Sequence, residues 1–257
     1  MEEAIKEFKR LLEIMDILRE KCPWDKEQTF ESLRKLTIEE THELADAIIK
    51  NSPDDIKKEL GDLMLHIVFY AKIGSEKKEF NISDVLKNIN EKLIYRHPHI
   101  FGDVKVKSAR DVADNWEKLK LKEKSKKRVL DGVPSTLPAL IKANRIQEKV
   151  RGVGFDWEVR EQVWDKISEE LNEIKEELSK NDNKKNIEEE FGDLLFSVVN
   201  AARLYNVDPE IALEKTNQKF IERFKYLEDK TLQQGRSLFD MSLDEMESIW
   251  QEAKKKK

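Results

Sequence analysis

The chain has 257 residues, 39% of them apolar and 39% charged, and a net charge of −5. That length allows two ordinary domains, and the apolar share is enough for packed cores. The acidic balance argues against stable nucleic-acid binding, no apolar run approaches the roughly 18 residues of a membrane helix, and the single cysteine, Cys22, excludes an internal disulfide and fits a reducing cytoplasm.

The N-terminus, Met1 to Arg10, is charged and amphipathic, unlike a secretory signal. Apolar residues then recur at intervals of three and four, with only eight glycines and six prolines to interrupt them. The expectation is an all-α fold. Helices are predicted over 2–21, 33–50, 54–74, 84–96, 110–123, 138–150, 160–180, 184–205, 209–229 and 243–255. Ser52-Pro53 and Asp208-Pro209 read as an N-cap followed by proline at the first helical position, and Ser242-x-x-Glu245 reads as a capping box. The pattern weakens between Lys105 and Pro138. There the basic run from Lys122 to Arg128 and the turn-rich Asp131–Pro138 read as a solvated connector. The expected organisation is therefore a helical unit over 1–104, a helix and linker over 105–137, and a second helical unit over 138–257.

The two units are copies. Glu39-Glu40-x-x-Glu43 followed by Glu59-Leu60-Gly61-Asp62-Leu63 returns as Glu169-Glu170-x-x-Glu173 followed by Glu190-Phe191-Gly192-Asp193-Leu194, displaced by 130 or 131 residues. Cys22-Pro-Trp24-Asp25 pairs with Phe155-Asp-Trp157-Glu158. Asn90-Glu-Lys92-x-x-x-Arg96 pairs with Asn217-Gln-Lys219-x-x-x-Arg223, and Trp116-Glu117 with Trp250-Gln251. A shared fold accounts for the repeated apolar residues. It does not account for repeated acids and bases.

On a helix Glu39 and Glu43 share a face, with Glu40 beside them, and Glu59 and Asp62 stand one turn apart. Beyond Asp62 the helix is apolar on nearly every side, from Leu63 to Ala71, and its twin from Leu194 to Ala202 is similar. Unpaired carboxylates at the mouth of a buried helix are unfavourable, and a hard cation bound by oxygens would hold them. Gly61 and Gly192, inside helices, predict a close helix–helix approach. Lys92/Arg96 and Lys219/Arg223 each stand at i,i+4, placed to take phosphate charge beside such a cation.

These motifs, with Tyr95-Arg-His-Pro-His-Ile-Phe101 between them, resemble the tandem MazG nucleoside triphosphate pyrophosphohydrolases. The resemblance runs from Cys22 to Trp250. It implies an all-α homodimer that uses Mg²⁺, or Mn²⁺ in its place, to hydrolyse nucleoside triphosphates of broad base range to monophosphate and pyrophosphate. It also implies that the second unit is the main catalyst. One residue supports that asymmetry: Lys166 lies four residues before Glu170, where the first unit has Leu36. Metal ligation is assigned to Glu170, Glu173, Glu190 and Asp193, with Glu40, Glu43, Glu59 and Asp62 as their counterparts. Glu169, with Glu39 as its twin, holds a further ion or orients and deprotonates the water. Lys166, Lys219 and Arg223 are expected on the phosphates, with Lys92 and Arg96 as the first-unit pair. Trp250, and after it Trp157, are the candidates for stacking on the base.

Two other chemistries fit parts of the pattern. Glu39-x-x-His42 and His66 suggest a di-iron bundle, but the second unit has Asn172 and Ser197 at those positions. A non-catalytic helical dimer binding Mg²⁺ or nucleotide for regulation would use the same acids.

Overall fold

A computed structural model of the chain describes residues 1–108, 111–112, 115–116, 119, 128–180 and 183–255. It contains helices and no strand among those residues. The chain forms two compact units, Met1–Trp116 and Glu117–Lys257. Most of the predicted helix over 110–123 and of the basic run at 122–128 lies outside the described residues.

The first unit contains α1 (Glu2–Lys21), α2 (Pro23–Glu27), α3 (Phe30–Ile49), α4 (Pro53–Glu76), α5 (Ile82–Arg96) and the single turn α6 (Pro98–Phe101). The second contains α7 (Ala139–Arg151), α8 (Val163–Leu178), α9 (Lys184–Leu204), α10 (Pro209–Gln233) and α11 (Leu243–Lys255). Short 3₁₀ turns, Arg160–Gln162 and Leu238–Asp240, precede α8 and α11.

Local chemistry sets the ends. Helix α3 begins three residues before its predicted start because Thr29 and Ser32 form a reciprocal capping box, with Ser32 N donating to Thr29 Oγ1 and Thr29 N to Ser32 Oγ. Asp208 caps α10 by accepting from Ile211 N at 3.0 Å. Ser242 and Glu245 exchange the expected bonds at the start of α11. Ser52 precedes Pro53 as predicted, but its hydroxyl makes no capping bond. Asn51, at φ +53°, closes the turn from α3 to α4, a conformation asparagine tolerates better than most residues.

Each unit is organised around one pair of neighbouring helices, α3 with α4 and α8 with α9. In the first unit Met15, Leu33, Val68, Phe69 and Ile73 form the buried core, with Leu36, Leu65 and Tyr70 against it. In the second, Val163, Ile174, Val199, Ala201, Leu227 and Ile249 are buried. The expected close approach at the helical glycines is not found among the described residues. A Cβ built on Gly61 or Gly192 meets nothing within 4 Å.

Candidate active site

The paired helices bring the acids together. In the first unit one carboxylate oxygen each from Glu40 and Glu43 on α3 and Glu59 on α4 lie within 4.8 Å of one another. In the second unit the same holds for Glu170 on α8 with Glu190 and Asp193 on α9. Glu59 and Glu170 are the buried members of the two groups. Burial, with Asp62, Glu43 and Glu59 nearby, raises the Glu40 carboxyl above its ordinary range. Glu173 is raised in the same way, by desolvation, by a hydrogen bond with Glu170, and by the Glu190 charge. Asp62 stands beside the first group and Glu173 beside the second, while Glu39 and Glu169 occupy the exposed side.

These oxygens suit a hard divalent cation. The donor set is all carboxylate, the neighbouring acids oppose each other's ionisation, and Glu59 Oε2 is buried without a hydrogen-bond partner among the described residues. Neither group of candidate ligands includes a histidine. His66 Nδ1 lies 2.6 Å from Thr37 Oγ1, which also meets the Tyr70 hydroxyl at 2.6 Å. His66 therefore serves a packed hydrogen-bond network, contrary to the di-iron alternative.

Each group carries a lysine, and the two lysines come from opposite helices. Lys166 Nζ on α8 lies 2.8 Å from Glu169 and 2.7 Å from Glu170. Bonds to Glu169 and then Glu170 push its pKa up and hold it as a cation. Lys58 Nζ on α4 lies 2.8 Å from Glu59, 3.9 Å from Asp62 and 4.0 Å from Glu43. Lys166 has no counterpart at Leu36, but the first unit supplies a cation of its own from the opposite helix. Lys58 is four residues before Asp62 and directly precedes Glu59, so its spacing was visible; its reach back to α3 was not.

The units differ beside the acids. In the second, a cavity of about 620 Å³ is lined by Gln147, Trp157, Lys166, Phe196 and Asn200 among others. At the positions equivalent to Lys166, Ser197 and Asn200 the first unit has Leu36, His66 and Phe69. His66 and Phe69 are buried there, and Leu36 packs on the core. Bulky core side chains thus stand where the second unit has small or polar ones.

Comparison with known proteins fixes the family. Residues 28–101 and again 160–227 match the MazG nucleotide pyrophosphohydrolase domain. The chain belongs to the MazG family. It is an enzyme of the nucleotide pyrophosphohydrolase type with two MazG segments. It is 45% identical over 258 residues to the nucleoside triphosphate pyrophosphohydrolase/pyrophosphatase MazG of Thermotoga maritima, covering 99% of this chain and 98% of that one. It is 42% identical over 254 residues to the nucleoside triphosphate pyrophosphohydrolase of Escherichia coli K12, covering 96% of each. It is also 47% identical over 235 residues to the uncharacterized protein YabN of Bacillus subtilis, covering 91% of this chain and 48% of that protein.

Of the remaining candidate residues, all but Trp157 lie on elements that follow the acid-bearing helices. Lys219 is exposed and Arg223 half-buried on α10. Trp250 on α11 packs against Phe220, with ring centroids 4.9 Å apart, whereas Trp157 lines the cavity. In the first unit Lys92 is exposed, but Arg96 is buried with its guanidinium 5.3 Å from the centre of the Trp116 ring. The two basic pairs share a spacing and not an environment.

Proposed function

We propose that the second unit hydrolyses nucleoside triphosphates at the α–β anhydride, with water as the nucleophile and nucleoside monophosphate and pyrophosphate as products. The observation that carries this reading is the buried Glu170, grouped with Glu190 and Asp193 on one side and joined through Lys166 to a cavity on the other. The carboxylates would hold a cation at the triphosphate end, and the cavity accepts the nucleoside. Glu170, Glu190 and Asp193, with Glu173 beside them, would hold Mg²⁺, with Mn²⁺ as a substitute. The bound cation supplies charge neutralisation on the phosphate oxygens and lowers the pKa of water. Glu169, turned to solvent and held by Lys166, orients the attacking water and accepts its proton. Lys166, Lys219 and Arg223 balance the phosphate charge. The test is turnover of the purified chain on several triphosphates with the products identified. Pyrophosphate release lost in Glu170→Gln supports the reading; release of inorganic phosphate alone, or no turnover, removes it.

Arg223 gives a smaller, separate check. Its guanidinium binds phosphate oxygens in a bidentate fork that lysine cannot reproduce. Arg223→Lys is expected to lower kcat/KM about ten- to a hundredfold, more through kcat than through KM. Unchanged kinetics for both Arg223→Lys and Arg223→Ala would make α10 scaffold only.

The reading extends to a homodimer. Leu60, Met64 and Ile67 on α4, and their equivalents Phe191, Leu195 and Val198 on α9, are 41–58% exposed. The same apolar stripe, next to the same glycine, is uncovered twice. A second copy of the chain would cover it and would give Gly61 and Gly192 the close neighbour they lack among the described residues. Leu195→Asp is expected to shift the sedimenting mass from dimer toward monomer; a parent chain that already sediments as a monomer would refute this. No helix among the described residues is long and apolar enough to cross a membrane. With one free cysteine and net charge −5, we place the enzyme in the cytoplasm without a nucleic-acid partner.

A further inference from the structure

We propose, building on the second unit as the catalytic half, that the cavity beside Lys166 is the nucleobase site and that Gln147 reads an N–H donor on the base edge. Gln147 lies on α7 and is 4% exposed. Its Nε2 donates to the carbonyl of Phe196 at 2.9 Å. A carbonyl only accepts, so this bond fixes the amide orientation and leaves Oε1 as the other atom. Oε1 is buried and has no hydrogen-bond partner among the described residues, although Gln147 lines the cavity. A buried amide oxygen without a donor destabilises a fold, and folded chains keep few of them. A ligand that brings the donor accounts for this one.

The surroundings fit a base. Phe155 and Trp157 supply apolar and aromatic surface, suited to a flat ring. The volume of about 620 Å³ falls in the roughly 300–1,000 Å³ range of small-molecule sites. Arg203 also lines the cavity, but its guanidinium is committed to Asp156, at 2.5 and 3.1 Å, and to Asn200 Oδ1, at 2.7 and 3.1 Å. At the other end stands Lys166, bonded to Glu169 and Glu170. Phe196 itself follows Asp193 by three residues on α9. A nucleotide with its base on Gln147 thus has its phosphates directed to the carboxylates. Gln147 and Trp157 both precede residue 160, where the second matched MazG segment begins.

A lone acceptor has a specific consequence. Adenine and cytosine carry an exocyclic amine, and guanine and uracil carry ring N–H groups, so each of the four satisfies Gln147. A base with no N–H does not. The site is therefore broad among ordinary bases and selective against a purine stripped of its donors.

The test compares ATP with purine riboside 5′-triphosphate, which lacks the 6-amino group and any ring N–H. With the full chain and Mg²⁺, kcat/KM is expected to fall about ten- to a hundredfold for the analogue. In Gln147→Met, of similar volume but without the acceptor, ATP should drop toward the analogue and the ratio should approach one. Gln147→Asn, which withdraws the amide by one methylene, gives the same comparison should Gln147→Met fold poorly. Calorimetric binding of AMP and purine riboside 5′-monophosphate repeats the comparison without turnover. Amine-dependent binding that vanishes in the variants, in a chain that hydrolyses nothing, would keep the base site and refute the hydrolytic reading. Equal handling of the two purines by the parent chain, an amine preference that survives both substitutions, or no nucleotide binding at all would overturn the proposal. A water trapped on Oε1 as its only partner predicts the first of these results.

Discussion

Glu170→Gln is expected to reduce kcat/KM for nucleoside triphosphates by at least roughly a thousandfold, while its first-unit counterpart Glu40→Gln leaves it within about threefold. Glu170 is buried, shares a 4.8 Å space with Glu190 and Asp193, and anchors Lys166 at 2.7 Å. Its charge therefore serves the cation and the lysine at once, and a neutral amide serves neither. Glu40 holds no lysine itself, since the lysine of its group, Lys58, reaches Glu43, Glu59 and Asp62. Beside that group Leu36, His66 and Phe69 stand at the positions of Lys166, Ser197 and Asn200, with His66 and Phe69 buried and Leu36 on the core. Circular dichroism and sedimentation must show both variants folded and equally assembled before the rates are compared. A larger loss for Glu40→Gln would place catalysis in the first unit.

Much of this was legible because duplication exposes itself in spacing. The offset of 130 or 131 residues paired every acid before any geometry was known, and periods of three and four gave the helices. Helix ends followed where a capping pair was read, as at Ser242 and Glu245, and moved where one was missed, as at Thr29 and Ser32. The cavity was not legible because it depends on bulk that is absent. Ser197 and Asn200 look like ordinary helix residues until compared with the buried His66 and Phe69. Gln147 carried no signal at all, since its interest lies in one unpartnered atom. Arg96 shows the converse: the i,i+4 spacing repeated in Arg223, but burial against Trp116 belongs to the first unit alone. Gly61 and Gly192 predict a close helix–helix approach, yet no described residue lies within 4 Å of a Cβ built on either.

Removing divalent metal is expected to abolish turnover and to lower the melting temperature of the chain. A cation that binds the folded carboxylates and not the unfolded chain stabilises by about 2.7 kcal/mol at one hundred times its dissociation constant, or roughly 5–10 °C for units of this size. The effect must depend on pH with a definite sign. The Glu40 and Glu173 carboxyls are raised in the folded, metal-free protein, first by desolvation and then by neighbouring acids. Such groups subtract stability above their folded pKa, because the folded state holds the proton more tightly than the unfolded chain does. That loss diminishes as pH falls through the raised values toward the ordinary 4.5. Metal and proton compete for these oxygens, so the Mg²⁺-induced rise in melting temperature should be greatest at neutral pH. It should shrink on acidification before ordinary carboxylates titrate. Lys58 predicts where the rise originates. Both groups hold an ammonium, but Lys58 meets three of the first group's acids, Glu43, Glu59 and Asp62, whereas Lys166 meets Glu169 and Glu170, so Glu170→Gln should remove most of the rise and Glu40→Gln little of it. Calorimetric scans with Mg²⁺ and with excess chelator, at neutral pH and near 4.5, measure all three effects. Full activity after exhaustive chelation, or a metal-induced rise that grows on acidification, would refute carboxylate-held metal as the basis of catalysis.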